Sequence, residues 1–469
     1  MNRASVIGSG PNGLSAAIVL AQAGLAVDVY ETEAQPGGAA RTLPLTLPGY
    51  LHDFGSAVHP LAVGSPFFRT LPLEKHGLQW IYSPAAVAHP LDGGNAVLLY
   101  RDFDSTVRSL AEDRQRWNDL FRPFTENWDA FANEILGPVI HLPRHPLLLA
   151  RFGIKAIQPA RYFAQSHFNN ARTRAVFAGL AAHSFLSLDS PLTAAIGILF
   201  AVSVHAVGWP IPQGGAQSIA NSLAAHLNEL KGTVHTSRPI NSLSELPDTL
   251  TLCDLAPHHL ERIAAERLTP PYREKLKRFR LGPGAFKIDY ALSQPIPWSA
   301  ADCGLAATVH LGGTLEEIAH SEHEMSQGRI AERPFVLLAQ PSLFDPTRAP
   351  AGKHTAWAYC HVPNGSTADM SQRIEDQIER FAPGFRECVL ARRISGPADL
   401  EAADANLIGG DIMGGAMTVK QTLLRPSLRA YATSNPNIYL CSASSPPGGG
   451  VHGMCGYHAA AMALRGLKG

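Results

Sequence analysis

Short unbroken apolar runs bracket a helical stripe at the start of the chain. Ala4–Ile7 and Val27–Tyr30 read as buried strands, and between them Leu14, Ala17, Ile18 and Ala21 recur at the spacing of a helix packed on one face. Gly24 follows the stripe where a left-handed residue closes a helix. The pattern predicts a strand, helix, strand unit over residues 4–31.

Beyond Arg69 the pattern changes to mixed helical segments and proline-punctuated loops, which run to about Val207 and include HLPRHP at His141–Pro146. Leu192–Val204 is an apolar stretch too short for the roughly 18 to 20 residues that cross a bilayer, so a buried helix is expected there. A surface dipping into lipid through Ile198 and Phe200 is the alternative. A helix with apolar positions Ile219, Leu223, Leu227 and Leu230 and the strand-like GTVHTS then restore the character of the N-terminal unit. A second departure, Glu261 to Leu424, holds the strand-like KIDYAL at Lys287–Leu292 and VLLAQ at Val336–Gln340. The chain closes with a strand at Ile438–Cys441, a glycine-rich loop at Pro447–Gly450 and a helix from near Val451 to about Arg465.

The expected architecture is α/β. Residues 1–68, 208–260 and 425–469 form one discontinuous Rossmann-type domain, and residues 69–207 and 261–424 form an α+β substrate domain. A chain of 469 residues has material for two such regions. With 39 basic and 39 acidic residues it has no net field to attract nucleic acid or an anionic membrane surface. The six cysteines show no CxxC spacing and the N-terminus lacks secretory-signal character, so a reducing cytosol is expected, with peripheral membrane contact as an addition.

Gly8, Gly10 and Gly13 form GxGxxG directly after the first strand and at the opening of the helix, the setting that gives this motif its meaning. Gly8 permits the tight turn, Gly10 lets a pyrophosphate approach the backbone, and Gly13 allows close helix-to-strand packing. The helix N-terminus then offers unpaired N–H groups to phosphate. Glu31 ends the second strand, where a carboxylate can accept from ribose hydroxyls and would repel a 2′-phosphate. NAD and FAD share this fingerprint.

Further residues separate the two. ETEAQPGGAARTLPLTLPGYLHDFGSAVHP, GWPIPQGG at Gly208–Gly215, NLIGGDIMGG at Asn406–Gly415 and the terminal PPGGGVHGMCGYHAAA together resemble the FAD-dependent phytoene desaturase-like oxidoreductases. Within the wider amine oxidase superfamily, the resemblance is to the branch related to pyridine nucleotide-disulfide oxidoreductase domain-containing protein 2. It implies FAD as cofactor. It also implies that Gly37, Gly38 and Arg41 lie along the pyrophosphate and flavin, that Gly55 and Ser56 line the flavin, and that Ile240 touches the adenine. Gly450 and Val451 would open a helix whose N-terminus faces the flavin pyrimidine ring, where N–H groups can stabilise the charge of the reduced ring.

The implied activity is dehydrogenation or desaturation of an apolar carotenoid, isoprenoid or lipid-like molecule by hydride transfer to flavin N5, with oxygen, a quinone or another acceptor as electron partner. Polyene isomerisation or saturation, and a flavin-stabilised interaction protein with little turnover, stand as alternatives. His452 and His59 each follow a flavin-lining loop and are the candidate catalytic residues, against the reading that each is a hydrogen-bonded structural histidine. Lys287 and Asp289 share one strand face, and a structural ion pair near the sheet edge is the preferred reading. HSEHE at His320–Glu324 reads as solvated surface, and no metal site is expected.

Overall fold

The structure, a computed structural model, describes residues 3–467. Its first sheet is parallel and five-stranded, in the order Ile438–Leu440, Leu250–Cys253, β1 (Arg3–Ile7), β2 (Ala26–Tyr30) and Thr233–His235. Ser5 at the centre of β1 lies between Thr251 on one side and Asp28 on the other. Three distant chain segments therefore build one Rossmann-type sheet. The carboxyl end of β1, where the chain crosses to opposite sides, is the natural ligand crevice of such a sheet.

The helix α1 (Pro11–Gln22) forms where the apolar stripe predicts it, with Leu14, Ala17 and Ile18 fully buried and Gly24 left-handed at φ +89°. Full burial of Leu14 and Ile18 contributes roughly 1.5–3 kcal/mol each. α1 packs against the terminal helix Met454–Gly466, and the approach is tight. A Cβ at Gly13 would lie 2.1 Å from the Gly8 carbonyl oxygen, and one at Gly456 would lie 1.8 Å from that of Asn12. The terminal helix begins at Met454 rather than near Val451 because Gly453 is left-handed, at φ +68°, and cannot continue a right-handed turn.

The second lobe holds a seven-stranded mixed sheet ordered Val389–Ser395, Gly284–Leu292, His354–Val362, Val336–Ala339, Ala306–Leu311, Ala85–Leu91 and Asn95–Leu99. Both departures of the sequence pattern thus contribute to it, as an α+β substrate lobe requires. Gly284–Leu292 is hydrogen bonded on both sides, so Lys287 and Asp289 sit one strand in from the sheet edge, near it as expected. Helices between Phe103 and Ala206 cover one end, packed around Trp117, Phe121, Phe163, Phe168 and Phe177. The apolar stretch forms the helix Thr193–Ala206, with Ile198 fully buried. Ile198 lies in the interior, and the partly buried Phe200 lines the cavity described below. All six cysteines are buried free thiols.

Gly456→Ala is expected to destabilise the protein by about 1–3 kcal/mol through overpacking of the two helices. Gly153→Ala, in the helix Pro146–Ala156 with nothing within 4 Å of the added methyl, is expected to be neutral or to stabilise by up to about 1 kcal/mol. Urea unfolding midpoints check both; equal midpoints for the two variants would refute the close-packing argument.

Candidate functional site

One cavity of about 1110 Å³ runs from the carboxyl ends of β1 and β2 into the substrate lobe, larger than the roughly 300–1,000 Å³ of ordinary small-molecule sites. At the Rossmann end its wall includes Gly8, Gly10, Glu31, Gly38, Arg41 and Ile240. Gly55, Ser56, His59, Gly450, Val451 and His452 surround its middle. The far chamber is apolar and aromatic, with Phe185, Leu199, Phe200, Trp209 and Tyr359.

Gly13 and Gly37 are not on the wall. Gly13 sits behind the turn, where its lack of a side chain lets α1 meet Gly8. Gly37, expected along the pyrophosphate, instead donates its N–H to Ser9 O at 3.1 Å and holds the second glycine loop against the first. Gly38 completes that contact, since a Cβ there would lie 3.2 Å from Gly10 Cα.

Glu31 is fixed by Ser9 N and Ser9 Oγ at 2.9 and 2.5 Å and by Glu33 N at 2.9 Å. A carboxylate has about four acceptor sites, so one remains for a ligand hydroxyl. Gly10 and Asn12 have backbone N–H groups with no acceptor among the described residues, and Asn12 Oδ1 is buried and unpartnered. Gly-lined backbone, free N–H groups at a helix start and an oriented carboxylate fit the phosphates and ribose of a dinucleotide.

Arg41 is buried and donates to Gly38 O, Glu33 Oε2 and Ala403 O at 2.7, 2.8 and 2.6 Å. It ties the Rossmann loop to the segment before Asn406 and still faces the cavity. The loop NLIGGDIMGG, within the segment expected in the substrate domain, closes the cavity from that side. Its Asn406 accepts from Ala256 N at 2.8 Å and donates to Asp254 O at 3.0 Å.

Asp254 itself escaped sequence reasoning. It follows the strand Leu250–Cys253 at the carboxyl edge of the sheet, and Asp254 Oδ2 accepts from Gly13 N at 2.8 Å. Its position at a strand end beside the glycine loop was the available signal. Burial, joined by the nearby Asp404 and Glu31 carboxylates, pushes Asp254 up to about 7 against the pull of the Gly13 N–H.

Lys287 also reaches the cavity wall. Its ammonium donates to Asp289 Oδ1 and Oδ2 at 2.6 and 2.7 Å and to Asp53 O at 2.9 Å, so the ion pair is real, buried and turned toward the site. Asp53 accepts from Arg348 NH2 at 2.7 Å, Ala216 N at 2.8 Å and Thr42 Oγ1 at 2.8 Å. Arg348 and Asp53 are both fully buried. This network anchors the chain immediately before Phe54, Gly55 and Ser56.

His59 and His452 are buried on the cavity wall, and burial holds both imidazoles down to about 4. His452 Nδ1 accepts from Met454 N at 3.0 Å, whereas His59 Nε2 has no partner. With the terminal helix starting at Met454, the N–H groups beside the cavity at Gly450 and Val451 belong to a loop; neither has an acceptor among the described residues. In HSEHE, Glu322 is fully buried and pairs with His361 Nδ1 at 2.7 Å, so that segment is not wholly solvated surface. Among the described residues one cluster of three metal-ligating side chains occurs, His76, His226 and Glu229, outside the cavity wall, and both rings already hydrogen bond the Glu229 carboxylate.

Residues 6–70 match the NAD(P)-binding Rossmann-like domain family. Pyridine nucleotide-disulfide oxidoreductase domain-containing protein 2 of Rattus norvegicus is 26% identical over 99% of this chain and 94% of its own. The lycopene-forming phytoene desaturase of Pseudescherichia vulneris is 23% identical over 97% of each chain. Among solved structures, an oxidoreductase from Methanosarcina mazei superposes with a TM-score of 0.66 at 17% identity, covering 99% of this chain and 100% of that one. Cyclohexylamine oxidase from Brevibacterium oxydans gives 0.61 at 14% identity, covering 100% and 99%. The chain has a Rossmann-type dinucleotide-binding domain and a separate substrate lobe, the two-lobed fold of these structural neighbours.

Arg348→Met leaves Asp53 buried and unpaired and is expected to cost about 3–5 kcal/mol, of which Asp53→Asn in the same chain should restore part; a double variant no more stable than the single one would argue against the pair. Because the folded state holds the Asp254 proton far above the usual carboxylate range, it binds more protons than the unfolded chain between about pH 4 and 7, and stability falls as pH rises through that window. Asp254→Asn keeps the acceptor for Gly13 and removes the titration. In flavin-free protein it should gain up to about 4 kcal/mol over the wild type between pH 4 and 8, and parallel stability curves would refute the assignment.

Proposed function

We propose that this protein is an FAD-dependent oxidoreductase of the phytoene desaturase-like branch that dehydrogenates or desaturates an apolar small molecule, with oxygen, a quinone or another acceptor taking the electrons. The observation that carries the reading is the single cavity joining a dinucleotide groove to an apolar, aromatic chamber. Relatives that include a phytoene desaturase, matched along nearly the whole of both chains, support it. When bound, the flavin supplies a hydride acceptor at N5.

The chain's own residues would bind, orient and keep water out. Gly8, Gly10 and the start of α1 would hold the phosphates, Glu31 the ribose, and Ile240 the adenine. Gly55, Ser56 and the free N–H groups of Gly450 and Val451 would hold the flavin, the latter two placed to stabilise negative charge on its pyrimidine side. Lys287 supplies a positive charge at the wall whose field Asp289 largely cancels.

A general base works best with a pKa near the working pH. At about 4, His59 and His452 are neutral at pH 7 and weak as bases, roughly three pKa units or about 4 kcal/mol from that optimum. Desaturation would take a hydride from one carbon and a proton from its neighbour; once the hydride has left, the neighbouring C–H is strongly acidic, so a neutral imidazole on the wall, weak as it is, suffices to accept that proton. His59 and His452 both lie on that wall.

The purified protein is expected to show the oxidised flavin absorption band, and Gly10→Glu to abolish FAD retention by pushing bulk and negative charge toward the phosphates. Anaerobic mixing with polyenes, retinoids, unsaturated lipids and amines should bleach the band with a member of an apolar class. Bleaching by amines alone would overturn the substrate proposal, and a protein that takes up no added FAD would overturn the cofactor.

A further inference from the structure

We infer that the helix Pro146–Ala156 and the loop before it form a docking surface for an anionic lipid bilayer, through which apolar substrate reaches the cavity; the delivery role rests on the apolar-substrate proposal. The helix has two apolar faces. Leu149, Phe152, Gly153 and Ala156 line the cavity, whereas Leu147 and Ile154 on the helix are 86% and 71% exposed and Leu142 before it is 93% exposed. Proteins rarely leave neighbouring large apolar side chains in water without a partner for them. Val139 and Ile157, at either end of this segment, are exposed and also line the cavity, so the outer apolar patch is continuous with its mouth.

Charge selects the occupant. In a chain with 39 basic and 39 acidic residues, the stretch from Ile135 to Leu188 contains no Asp or Glu, yet six Lys and Arg: Arg144, Arg151, Lys155, Arg161, Arg172 and Arg174. Of these, only Arg161 approaches a carboxylate among the described residues, Asp189 at 3.6 Å. Arg151 and Lys155 fall on the same side of the helix as Leu147 and Ile154 by the spacing i, i+4, i+7 and i+8. Long basic side chains can lay their stems beside apolar groups while their heads reach phosphate. A second copy of the chain would meet this patch with the same positive charges, because a two-fold contact sets the surface against itself. An anionic bilayer presents both the apolar depth and the opposite sign.

Flotation of the FAD-loaded protein with phosphatidylcholine vesicles, with and without phosphatidylglycerol, tests the inference. Binding should rise about tenfold or more when phosphatidylglycerol is present. Leu142→Ser/Leu147→Ser/Ile154→Ser should reduce it about tenfold with melting temperature and flavin content unchanged, and Arg144→Glu/Arg151→Glu/Lys155→Glu should abolish the phosphatidylglycerol preference. A wild type that floats with neither vesicle, or a serine variant that floats undiminished, would overturn the docking surface. So would a wild-type dimer in sedimentation equilibrium that the serine substitutions convert to monomer, which would assign the patch to a second copy. Flavin reduction by detergent-dispersed apolar compounds reads the proposed activity separately: its failure beside intact flotation would remove the substrate proposal and the delivery role while leaving the membrane contact.

Discussion

The arrangement of the site hangs on one buried carboxylate, Asp53. It receives hydrogen bonds from Thr42 on the paired short strand, from the backbone at Ala216 as the helix Gln217–Glu229 begins, and from Arg348 of the substrate lobe, while its carbonyl oxygen accepts from Lys287. Four chain segments separated by up to about three hundred residues thus meet at one residue, three of them at its carboxylate. Removing a carboxylate and a guanidinium from water is costly, and the attraction between them offsets that cost only when geometry and further hydrogen bonds satisfy both. The directional bonds on Asp53 meet much of that requirement, although Arg348 NH1 is left without a partner. What the pair gives the fold is placement: the loop Phe54–Ser56 leaves Asp53 at a fixed angle and lines the middle of the cavity.

The same interior accounting makes the cavity electrically quiet. Lys287 is matched by Asp289, and burial keeps the His59, His452 and His183 imidazoles neutral at pH 7, with His183 held down to about 3. Acidic groups gather at the Rossmann end, where Asp254 and Asp404 are both raised by burial. The Rossmann end therefore offers backbone N–H groups and the already partnered Arg41 rather than a cluster of free cations, and the chamber beyond it offers apolar contact with little field. An apolar ligand there gives up water and meets few groups that need hydrogen bonds, which favours burial.

The parts legible in the sequence are those in which physics admits few residue types. A turn that backbone must approach closely has to be glycine, so Gly8, Gly10 and Gly13 stood out, and a helix packed on one face has to repeat its apolar positions, so α1 was visible as well. Burial of Ile198 was legible on a different ground: the stretch around it is apolar on every side yet too short to cross a bilayer. The terminal helix starts about three residues later than the pattern predicts because a glycine run can either open a helix or postpone it, and only the left-handed Gly453 decides which. Asp53, Asp254 and Arg348 left no local mark. Each acts through a partner far along the chain, and single-sequence periodicity carries no information about pairs.

That division also explains why the cofactor end is better defined by sequence than the substrate end. Recognition of a dinucleotide uses backbone groups, whose demands on side chains are negative and strict: no Cβ at Gly13, none at Gly38. Recognition of an apolar molecule uses surface shape, which many combinations of Leu, Phe, Trp and Tyr can produce. Phe185, Trp209 and Tyr359 gain their meaning only once the strand His354–Val362, the loop after Ala182 and the turn after Ala206 are brought around one chamber. The chemistry proposed for that chamber fits this asymmetry. Hydride removal from an unactivated carbon asks for a held geometry and a dry wall, and neither requirement writes a short motif.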